Sequence, residues 1–586
     1  MTVTVPTEAG LSFDLIDEPW LPCIGVDGRH RTASLREALT EAHEIRDLVV
    51  DVPTQYPALV RLLLAVLHRA LGVKGGKQYA SQPRNQVDWK LLYGWGRFPR
   101  EPLDAYLDTW RHRFDLFAEE RPFFQAADLA VKGRSDAEGG GAKPSNLLIP
   151  HAASGNNAPI FSAARDGRPV RLTPAEAARW LVHVHAWDTA GIKTGAIGDP
   201  KAKAGKTTGN RTGHLGSLGV LLPTGATLWE TLMFNLLPLD DDVSPEDDLP
   251  FWEREEGLDS TWRERLPRGV IDLYCWPARR VRLRPGGARD GEGPSVRHVL
   301  VCAGDRLLDG STLHSLEPHS AWWAVSKDDE KKEKRTEGMP EQYRSERHRP
   351  GRQLWRGLGG ILGRKNELSG PKAYKRPLAL ENLAAAADGA VAGERVIQVR
   401  AFGTTYGIQS AVVEETYTDT LPLPVALLRP QGAHELDAVA VRCVEDSERA
   451  ARALGRFAAD IAFAAGGDGD AEKSRQAEAQ NRLYLMLDHP FRDWIARLAD
   501  GRAAEEHRGG WHRRVRTAAG RLAADLAASA PVTAERVRLR PPPGGKEGRP
   551  RPINLAIAWN DFTHRLHQAV PQAGRGSGDD ENGGPR

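Results

Sequence analysis

The stretch Pro57-Ala-Leu-Val-Arg-Leu-Leu-Leu-Ala-Val-Leu-His-Arg-Ala-Leu71 has apolar residues on every side of a helical wheel. This pattern is typical of a helix that is buried all round. Arg61, His68 and Arg69 interrupt the apolar run, which argues against a membrane span. The stretch therefore predicts a helix that anchors the core of a large globular domain.

Towards the N-terminus, the pattern changes to strand and turn. Residues 11–22 predict a short strand that ends at proline, and Asp27-Gly28 predicts a hairpin turn. Ser34, with Glu37 three residues later, fits the capping box that starts a helix. The chain is thus expected to begin with β structure and to continue with helices.

Towards the C-terminus, Gly, Pro and short β-like runs, including 269–276 and 395–402, alternate with helices. This predicts a large mixed α/β domain over residues 1–425. Residues 426–572 predict a four-helix bundle, and the Gly-rich residues 573–586 predict a disordered tail. The predicted fold class is α+β. The four Ala-, Leu- and Arg-rich segments with helical periodicity are 434–465, 471–500, 504–529 and 553–569.

The composition fits a soluble globular protein, with 40% hydrophobic residues, 27% charged residues and 16 Trp. Because the formal net charge is only +2, a polyanionic partner would have to meet local basic patches. The cysteines are widely spaced and include no Cys-x-x-Cys pair, so we expect neither a disulfide framework nor a structural zinc site. A cytoplasmic protein without a membrane segment is expected. The four cysteines are Cys23, Cys275, Cys302 and Cys443.

Two motifs suggest an enzyme, and both are incomplete. Gly205-Lys206-Thr207 resembles the end of a phosphate-binding P-loop, but the position of its first glycine is occupied by Pro200. His183-Val-His185 would place two imidazoles on one face of a strand, with Asp188 close by but no further ligands in the sequence. An NTP- or metal-dependent nucleic-acid enzyme remains the alternative hypothesis, and the sequence shows no assembled catalytic site.

Residues 197–218 combine five glycines with lysines and arginine, as expected for a loop that approaches a nucleic-acid backbone closely. The basic segment 344–376, with interleaved aromatic residues, could track phosphates as well. Each could equally be a solvated surface loop. A scaffold that binds RNA through 344–376 without reading sequence is a third hypothesis.

Several motifs occur in the order found in the CasA family, the large subunit of the type I-E CRISPR surveillance complex Cascade. The chain resembles that family over nearly its whole length. The resemblance implies a non-catalytic subunit that recognises the protospacer-adjacent motif in double-stranded DNA, helps open the duplex for guide-RNA pairing (R-loop formation) in antiviral defence, and helps recruit a helicase-nuclease. The motifs are 13–22, the helix 62–71, 121–125, the glycine-lysine loop, 407–410 and the terminal helices.

The resemblance also implies a DNA-binding site. The family's glutamine wedge matches Gln409, with Ser410 beside it, and its basic finger matches Arg306. Lys and Thr side chains in place of bare glycine imply that motif reading involves side chains as well as backbone. The family's glycine loop matches Gly205, Lys206, Thr207, Thr208 and Gly209, followed by Asn210 and Arg211.

Finally, the resemblance implies partners. Residues 154–161 are similar to the loop that docks the large subunit on the 5′ end of the guide RNA, with Asn156, Asn157 and the aromatic Phe161. The expected partners are the guide RNA, the backbone, small and 5′-handle-binding subunits, target DNA and the helicase-nuclease. No cofactor and no metal are expected.

Overall fold

The chain divides into two compact units that alternate along the sequence. The first comprises Met1–Leu354, Ala373–Ala392 and Ile397–Leu421, and the second comprises Trp355–Lys372, Gly393–Val396 and Pro422–Arg586. The computed structural model describes residues 11–71, 86–131, 141–152, 169–237, 247–286, 294–308, 313–325, 343–364, 374–386, 389–429, 434–542 and 549–571.

The first unit is built around the predicted buried helix. That helix spans Gln55–Ala70 and is buried along almost its whole length, which confirms the prediction from its apolar pattern. Arg61 is inside the core, where its charge is balanced by the buried carboxylate of Glu317. The described helices of this unit are α1 (Leu35–Thr40), α2 (Gln55–Ala70), α3 (Gln86–Gly94), α4 (Arg100–Trp110), α5 (Pro174–Trp187), α6 (Leu228–Asn235), α7 (Val270–Tyr274), α8 (Leu313–Leu316) and α10 (Leu378–Ala386).

The N-terminal strand starts later than predicted. Residues 15–17 form a turn, because the side chain of Asp14 accepts a hydrogen bond from the Ile16 amide at 2.9 Å, and Pro19 cannot donate to a ladder. The predicted turn at Gly28 and the capping box at Ser34 are both confirmed. The first sheet contains β1 (Leu21–Gly25), β2 (His30–Ala33) and β3 (Ile45–Leu48), in the order β2-β1-β3.

Two further sheets contain the strands that form the candidate functional site. Their strands are β4 (Lys143–Pro144), β5 (Gly191–Thr194), β6 (Lys206–Asn210), β7 (Val220–Thr224), β9 (Arg279–Gly286), β10 (Ser295–Ala303), β15 (Val396–Tyr406) and β16 (Val413–Pro424). One sheet has the order β4-β10-β5-β6, with β9 paired to β10, and the other has the order β16-β15-β7. Short strands complete the unit: β8 (Glu264–Arg265) with β11 (Arg306–Leu307), and β12 (Trp322–Ala324) with β13 (Tyr343–Ser345) and β14 (Tyr374–Lys375).

Residues 269–276 form a short helix instead of the predicted strand. The carboxylate of Asp248 accepts hydrogen bonds from the amides of Ile271 at 3.0 Å and Asp272 at 2.8 Å, and so satisfies the first turn of α7. This cap comes from a residue more than twenty positions earlier, which a local pattern does not reveal. The strand predicted at 395–402 is confirmed as part of β15.

The second unit contains the predicted four-helix bundle. Its helices are α9 (Leu358–Leu362), α11 (His434–Ala465), α12 (Gly469–Ile495), α13 (Ala504–Ala528) and α14 (Leu555–Ala569), and a two-stranded ribbon pairs β17 (Arg538–Arg540) with β18 (Arg551–Ile553). The long helix α11 contacts each of the three long helices that follow it. Aromatic rings fill the interior: Phe457 stacks on Phe562 at 5.2 Å, and Trp355 stacks on Phe491 at 4.6 Å. The α+β fold class is therefore confirmed.

Across the described ranges, no helix combines the length and apolarity needed to cross a membrane.

Candidate nucleic-acid interface

The predicted glycine-lysine loop is the end of a β-hairpin. Strands β5 and β6 pair antiparallel, and residues Ala204 and Gly205 have φ angles of 50° and 72° between Lys203 and Lys206. Two left-handed residues form the tight turn that suits the twist of a hairpin. The expectation of an open loop is therefore wrong for residues 206–210, which form strand β6. We call this element the lysine hairpin.

Cations meet at the tip of the lysine hairpin. Lys203 and Lys206 exchange both backbone hydrogen bonds, at 2.9 and 3.0 Å, so their side chains are direct cross-strand neighbours. Both are exposed, and within the described part of the chain no carboxylate is within 4.0 Å of either amine. Like charges placed directly opposite each other destabilise a hairpin. An anion bound at the tip would relieve this repulsion.

The residues after Lys206 alternate between the interior and solvent. Thr207 is fully buried, and its hydroxyl donates to the carboxylate of Asp199. Asn210 is also buried, and its amide nitrogen donates to the carbonyls of Gly191 and Thr207, each at 2.8 Å. Only Thr208 and the neighbouring glycine are exposed. Of the residues predicted to contact DNA, Thr207 and Asn210 therefore have buried side chains, whereas Lys206 and Thr208 are exposed.

The glycines of 197–218 have two different roles. A Cβ at Gly205 would meet nothing within 4 Å, so the turn is open to an approaching backbone. A Cβ at Gly213 would lie 2.4 Å from the carbonyl carbon of Ala186, and one at Gly216 would lie 2.3 Å from the hydroxyl of Tyr406. These two glycines are required for internal packing, so they do not contribute to an open loop.

A buried ionic cluster holds the base of the lysine hairpin. Asp188 accepts from Lys193 at 2.6 Å and from Arg279, which also donates to the carbonyls of Thr189 at 2.7 Å and Arg211 at 2.8 Å. Burial acts to raise the pKa of Asp188, but the positive charges of Lys193 and Arg279 outweigh it and hold that pKa below its usual value. We call the side chains of Asp188, Lys193 and Arg279 the base cluster.

Arg306 is held against the lysine hairpin. Its guanidinium lies 4.1 Å from the ring centroid of Trp262 and donates to the carbonyl of Thr208 at 2.9 Å and to the amide oxygen of Asn210 at 3.3 Å. Glu264 lies 3.4 Å from the same group. The sequence placed Arg306 as a separate finger, and the structure places it beside the residues predicted as the glycine loop.

Gln409 lies at the tip of a second hairpin, formed by β15 and β16. Gln409 and Ser410 both have left-handed backbone angles, with φ of 55° and 52°, which are strained for residues with side chains. Ile408 beside them is 88% exposed. The tip therefore projects an apolar side chain and an amide into solvent from a backbone held in one conformation. We call this element the glutamine hairpin.

The two hairpins touch each other. The amide of Ala190, next to β5, donates to the carbonyl of Ser410 at 2.8 Å. The hydroxyl of Tyr406 donates to the carbonyl of Trp187 at 2.6 Å, which fixes the glutamine hairpin to the end of α5. Residues that are about two hundred positions apart in the sequence thus form one continuous surface.

A cleft of about 1000 Å³ opens beside this surface. Its lining includes Asn210, Arg211, Arg306 and Ser410. The lining also includes the start of the basic segment that the sequence singled out, namely Arg344, Arg347 and Arg349. These three arginines are exposed. The several arginines in this lining make the cleft suited to a polyanion.

The candidate metal and nucleotide sites do not assemble. His183 and His185 lie on helix α5, where a separation of two residues turns them to nearly opposite sides, so the predicted strand geometry is wrong. Burial lowers the pKa of each to about 3. Gly205-Lys206-Thr207 opens a strand and not a helix. Among the described residues, no group of three or more His, Cys, Asp or Glu side chains could hold a metal ion.

Several predictions fall on other parts of the chain. Asn156, Asn157 and Phe161 lie outside the described residues, as does the tail 573–586.

Burial raises the pKa of all four cysteine thiols, so these groups stay protonated at neutral pH.

Sequence reasoning missed the residues that support the interface. Trp262, Glu264 and the base cluster carry no motif, and each comes close to its partners only through folding. The single local hint was the repeated Lys-x-Lys pattern of 201–203, which places two cations near the turn. A residue whose task is to hold another side chain leaves little signal in one sequence.

Comparison with known proteins identifies the fold. The family model of CRISPR-associated protein Cse1 matches residues 14–522. CRISPR-associated protein CasA/Cse1 from Thermus thermophilus is 29% identical over 497 residues, covering 83% of this chain and 86% of that protein. The crystal structure of Thermobifida fusca Cse1 matches with a TM-score of 0.80 and 35% identity, over 96% of this chain and 99% of that one. A chain of a CRISPR RNA-guided surveillance complex shares the fold, with a TM-score of 0.63 and 21% identity, over 88% and 99% of the two chains.

The fold, with its mixed α/β unit and four-helix bundle, therefore defines a large subunit of a CRISPR surveillance complex. The chain belongs to the CRISPR-associated protein Cse1 family, also called CasA. The resemblance drawn from the sequence motifs is confirmed.

Proposed function

We propose that this chain recognises the protospacer-adjacent motif in double-stranded target DNA and opens the adjoining base pairs. The observation that carries the proposal is the hydrogen bond between Ala190 and Ser410, which joins the lysine hairpin to the glutamine hairpin at one edge of a basic cleft. Two elements with different chemistry, one cationic and one wedge-shaped, then act on neighbouring positions of the same duplex.

The lysine hairpin is suited to the DNA backbone. Lys203 and Lys206 are exposed and repel each other, so two phosphates replace an unfavourable contact with favourable ones. The open turn at Gly205 lets backbone amides come close to the groove. Arg306 lies flat beside Thr208 and Gly209, where its guanidinium could reach a minor groove from the same side.

The glutamine hairpin is suited to separating base pairs. Ile408 and Gln409 project from a strained turn, and inserting such a pair between stacked bases unstacks them at a cost of a few kcal/mol per step. Phosphate contacts from the cleft arginines offset that cost. The tip does not have to reorganise first, since strands β15 and β16 and the Tyr406 hydrogen bond hold it in place.

In this proposal the subunit is non-catalytic and acts with partners. Guide RNA pairs with the opened strand, in line with RNA-guided recognition in which protein checks a short motif and pairing reads the rest. The guide RNA, the backbone, small and 5′-handle-binding subunits, and a helicase-nuclease complete the system. Docking on the guide through Asn156, Asn157 and Phe161 remains a prediction. Family membership supports the assembly, and the cleft supports the DNA contact.

The test uses the complex assembled with guide RNA. Lys206→Ala should weaken the binding of duplexes with and without the motif to the same extent. The slope of log affinity against log salt concentration should also become smaller in magnitude by about 1. Gln409→Ala should leave the initial binding of duplex nearly unchanged and reduce strand opening, followed by permanganate reactivity of unpaired thymines. The matched control is Lys473→Ala, an exposed lysine of the bundle paired with Asp470. Normal binding and normal opening in both variants would contradict the site.

A further inference from the structure

Glu264 occupies an unusual place beside the lysine hairpin. Its carboxylate contacts the amine of Lys201 at 2.6 Å and the guanidinium of Arg306 at 3.4 Å. Lys201 lies within the hairpin turn region and Arg306 at the cleft, so one acid joins the two cations. Glu264 itself is 43% exposed.

Trp262 packs against the same two cations. Arg306 and Lys201 both lie over its indole ring, at 4.1 and 4.8 Å from the centroid. The ring is nearly buried and fixes where the cations can be, because a cation gains energy from the aromatic face. Glu264 then adds the negative charge. The two cations are thus held side by side, where their combined charge favours a bound anion.

A solvated carboxylate at this position is expected to add little to the stability of the fold. Exposed ion pairs contribute little to stability and are screened by salt. The carboxylate does, however, share with a phosphodiester a single negative charge spread over two acceptor oxygens, and both arginine and lysine side chains bind either group. Lys201 lowers the pKa of Glu264 through its hydrogen bond and charge, so the carboxylate is ionised at neutral pH.

We propose that Glu264 is an internal substitute for a DNA phosphate: it holds Lys201 and Arg306 in the free protein and is displaced when a duplex phosphate binds. This inference rests on the proposed function, because it assumes that duplex DNA enters the cleft. Its consequence runs against the usual expectation for a residue of a binding site. Glu264 weakens the binding of every duplex, since each DNA molecule must first replace it.

The experiment measures duplex affinity of the assembled complex at several salt concentrations, with motif-bearing and scrambled duplexes. Glu264→Gln keeps the shape and removes the charge, and it should tighten binding to both duplexes by about 3- to 10-fold at low salt. The gain should fade as salt rises. Glu255→Gln is the matched control, because Glu255 is an exposed acid of the same unit without a cation within 4.0 Å among the described residues.

A double variant decides the mechanism. If Glu264 acts through its cation partner, then Glu264→Gln should give much less gain when Lys201 is already replaced by methionine. A full gain in the Lys201→Met background, or an equal gain in Glu255→Gln, would show a bulk charge effect and overturn the inference. Unchanged or weaker binding of Glu264→Gln would overturn it as well. If the wild-type complex binds motif-bearing and scrambled duplexes with equal affinity, the proposed function is wrong. The effect of Glu264→Gln on affinity for the scrambled duplex then still tests the role of Glu264.

Discussion

Two carboxylates of the first unit each lie between a lysine and an arginine, one at the base of the lysine hairpin and one beside its tip. Asp188 contacts Lys193 at 2.6 Å and Glu264 contacts Lys201 at the same distance. The difference is exposure. No side chain of the base cluster is more than 9% exposed, whereas Glu264 and Lys201 are 43% and 48% exposed.

The comparison shows that environment decides what one arrangement of charges does. In the base cluster, water is excluded, so each charge depends on its partners and the loss of one leaves the others unpaired. Beside the tip, water and salt compete with the contact between Glu264 and Lys201, so the acid can be exchanged for another anion at little cost. The same three functional groups thus give a support in one place and a replaceable contact in the other.

The largest expected effect is that of Asp188→Asn. The change leaves Lys193 and Arg279 buried without a counter-charge, and breaking a buried pair in this way costs about 3–5 kcal/mol. The free energy of unfolding, from urea titration followed by tryptophan fluorescence, should fall by that amount. Adding Lys193→Met should recover part of the loss, because it removes one unpaired charge. If the single variant unfolds like wild type, the base cluster is not a support.

At acid pH, the loss of stability caused by Asp188→Asn should become smaller. Because the folded-state pKa of Asp188 lies below its unfolded value, its ionisation stabilises the protein above the unfolded pKa near 3.8, and that contribution is lost as pH falls through the folded pKa. The difference in urea midpoint between wild type and Asp188→Asn should therefore be constant from pH 7 to 5 and narrow below about pH 4. A difference that stays constant down to pH 2 would argue against an ionised Asp188.

The smallest expected effect is that of Glu264→Gln on stability. The carboxylate and Lys201 are both exposed, and Arg306 keeps its contacts with Trp262 and Thr208, so the urea midpoint should match that of wild type within error. The same variant is expected to bind DNA more tightly, so affinity and stability separate at the tip. A clear drop in the midpoint would mean that the tip contact is a support like the base cluster, and the comparison would fail.

Much of the fold could be predicted from local patterns. The helix around Leu64 is apolar all round, and the four bundle helices have long periodic repeats, so their positions are set by residues near one another in the chain. The predicted secondary structure is wrong where a residue distant in the sequence caps a helix, or where a side chain stabilises a turn. The cap that Asp248 gives to α7 and the turn at Asp14 are formed by side chains that a strand pattern does not take into account.

The candidate interface was predictable in its parts and not in its assembly. Resemblance to a family supplied Lys206, Arg306 and Gln409. In the structure Arg306 lines the cleft, and Lys206 and Gln409 lie on the two hairpins that adjoin it. The supporting roles of Trp262 and Asp188 could not be predicted, because these residues act only through contacts made on folding. The buried position of Thr207 also depends on Asp199, whose role no spacing reveals.

The pairing of β7 with β15 has a consequence for how the protein is made. Thr224 and Gln398 are hydrogen-bonded partners, although 174 residues separate them. At a synthesis rate of roughly 5–20 residues per second, about 10–35 s pass between the appearance of the two strands at the ribosome. Until then β7 has an edge without this partner, and the glutamine hairpin does not exist. The cleft is therefore completed late in translation, and a chain released before β15 is made would contain the lysine hairpin without the surface that it adjoins.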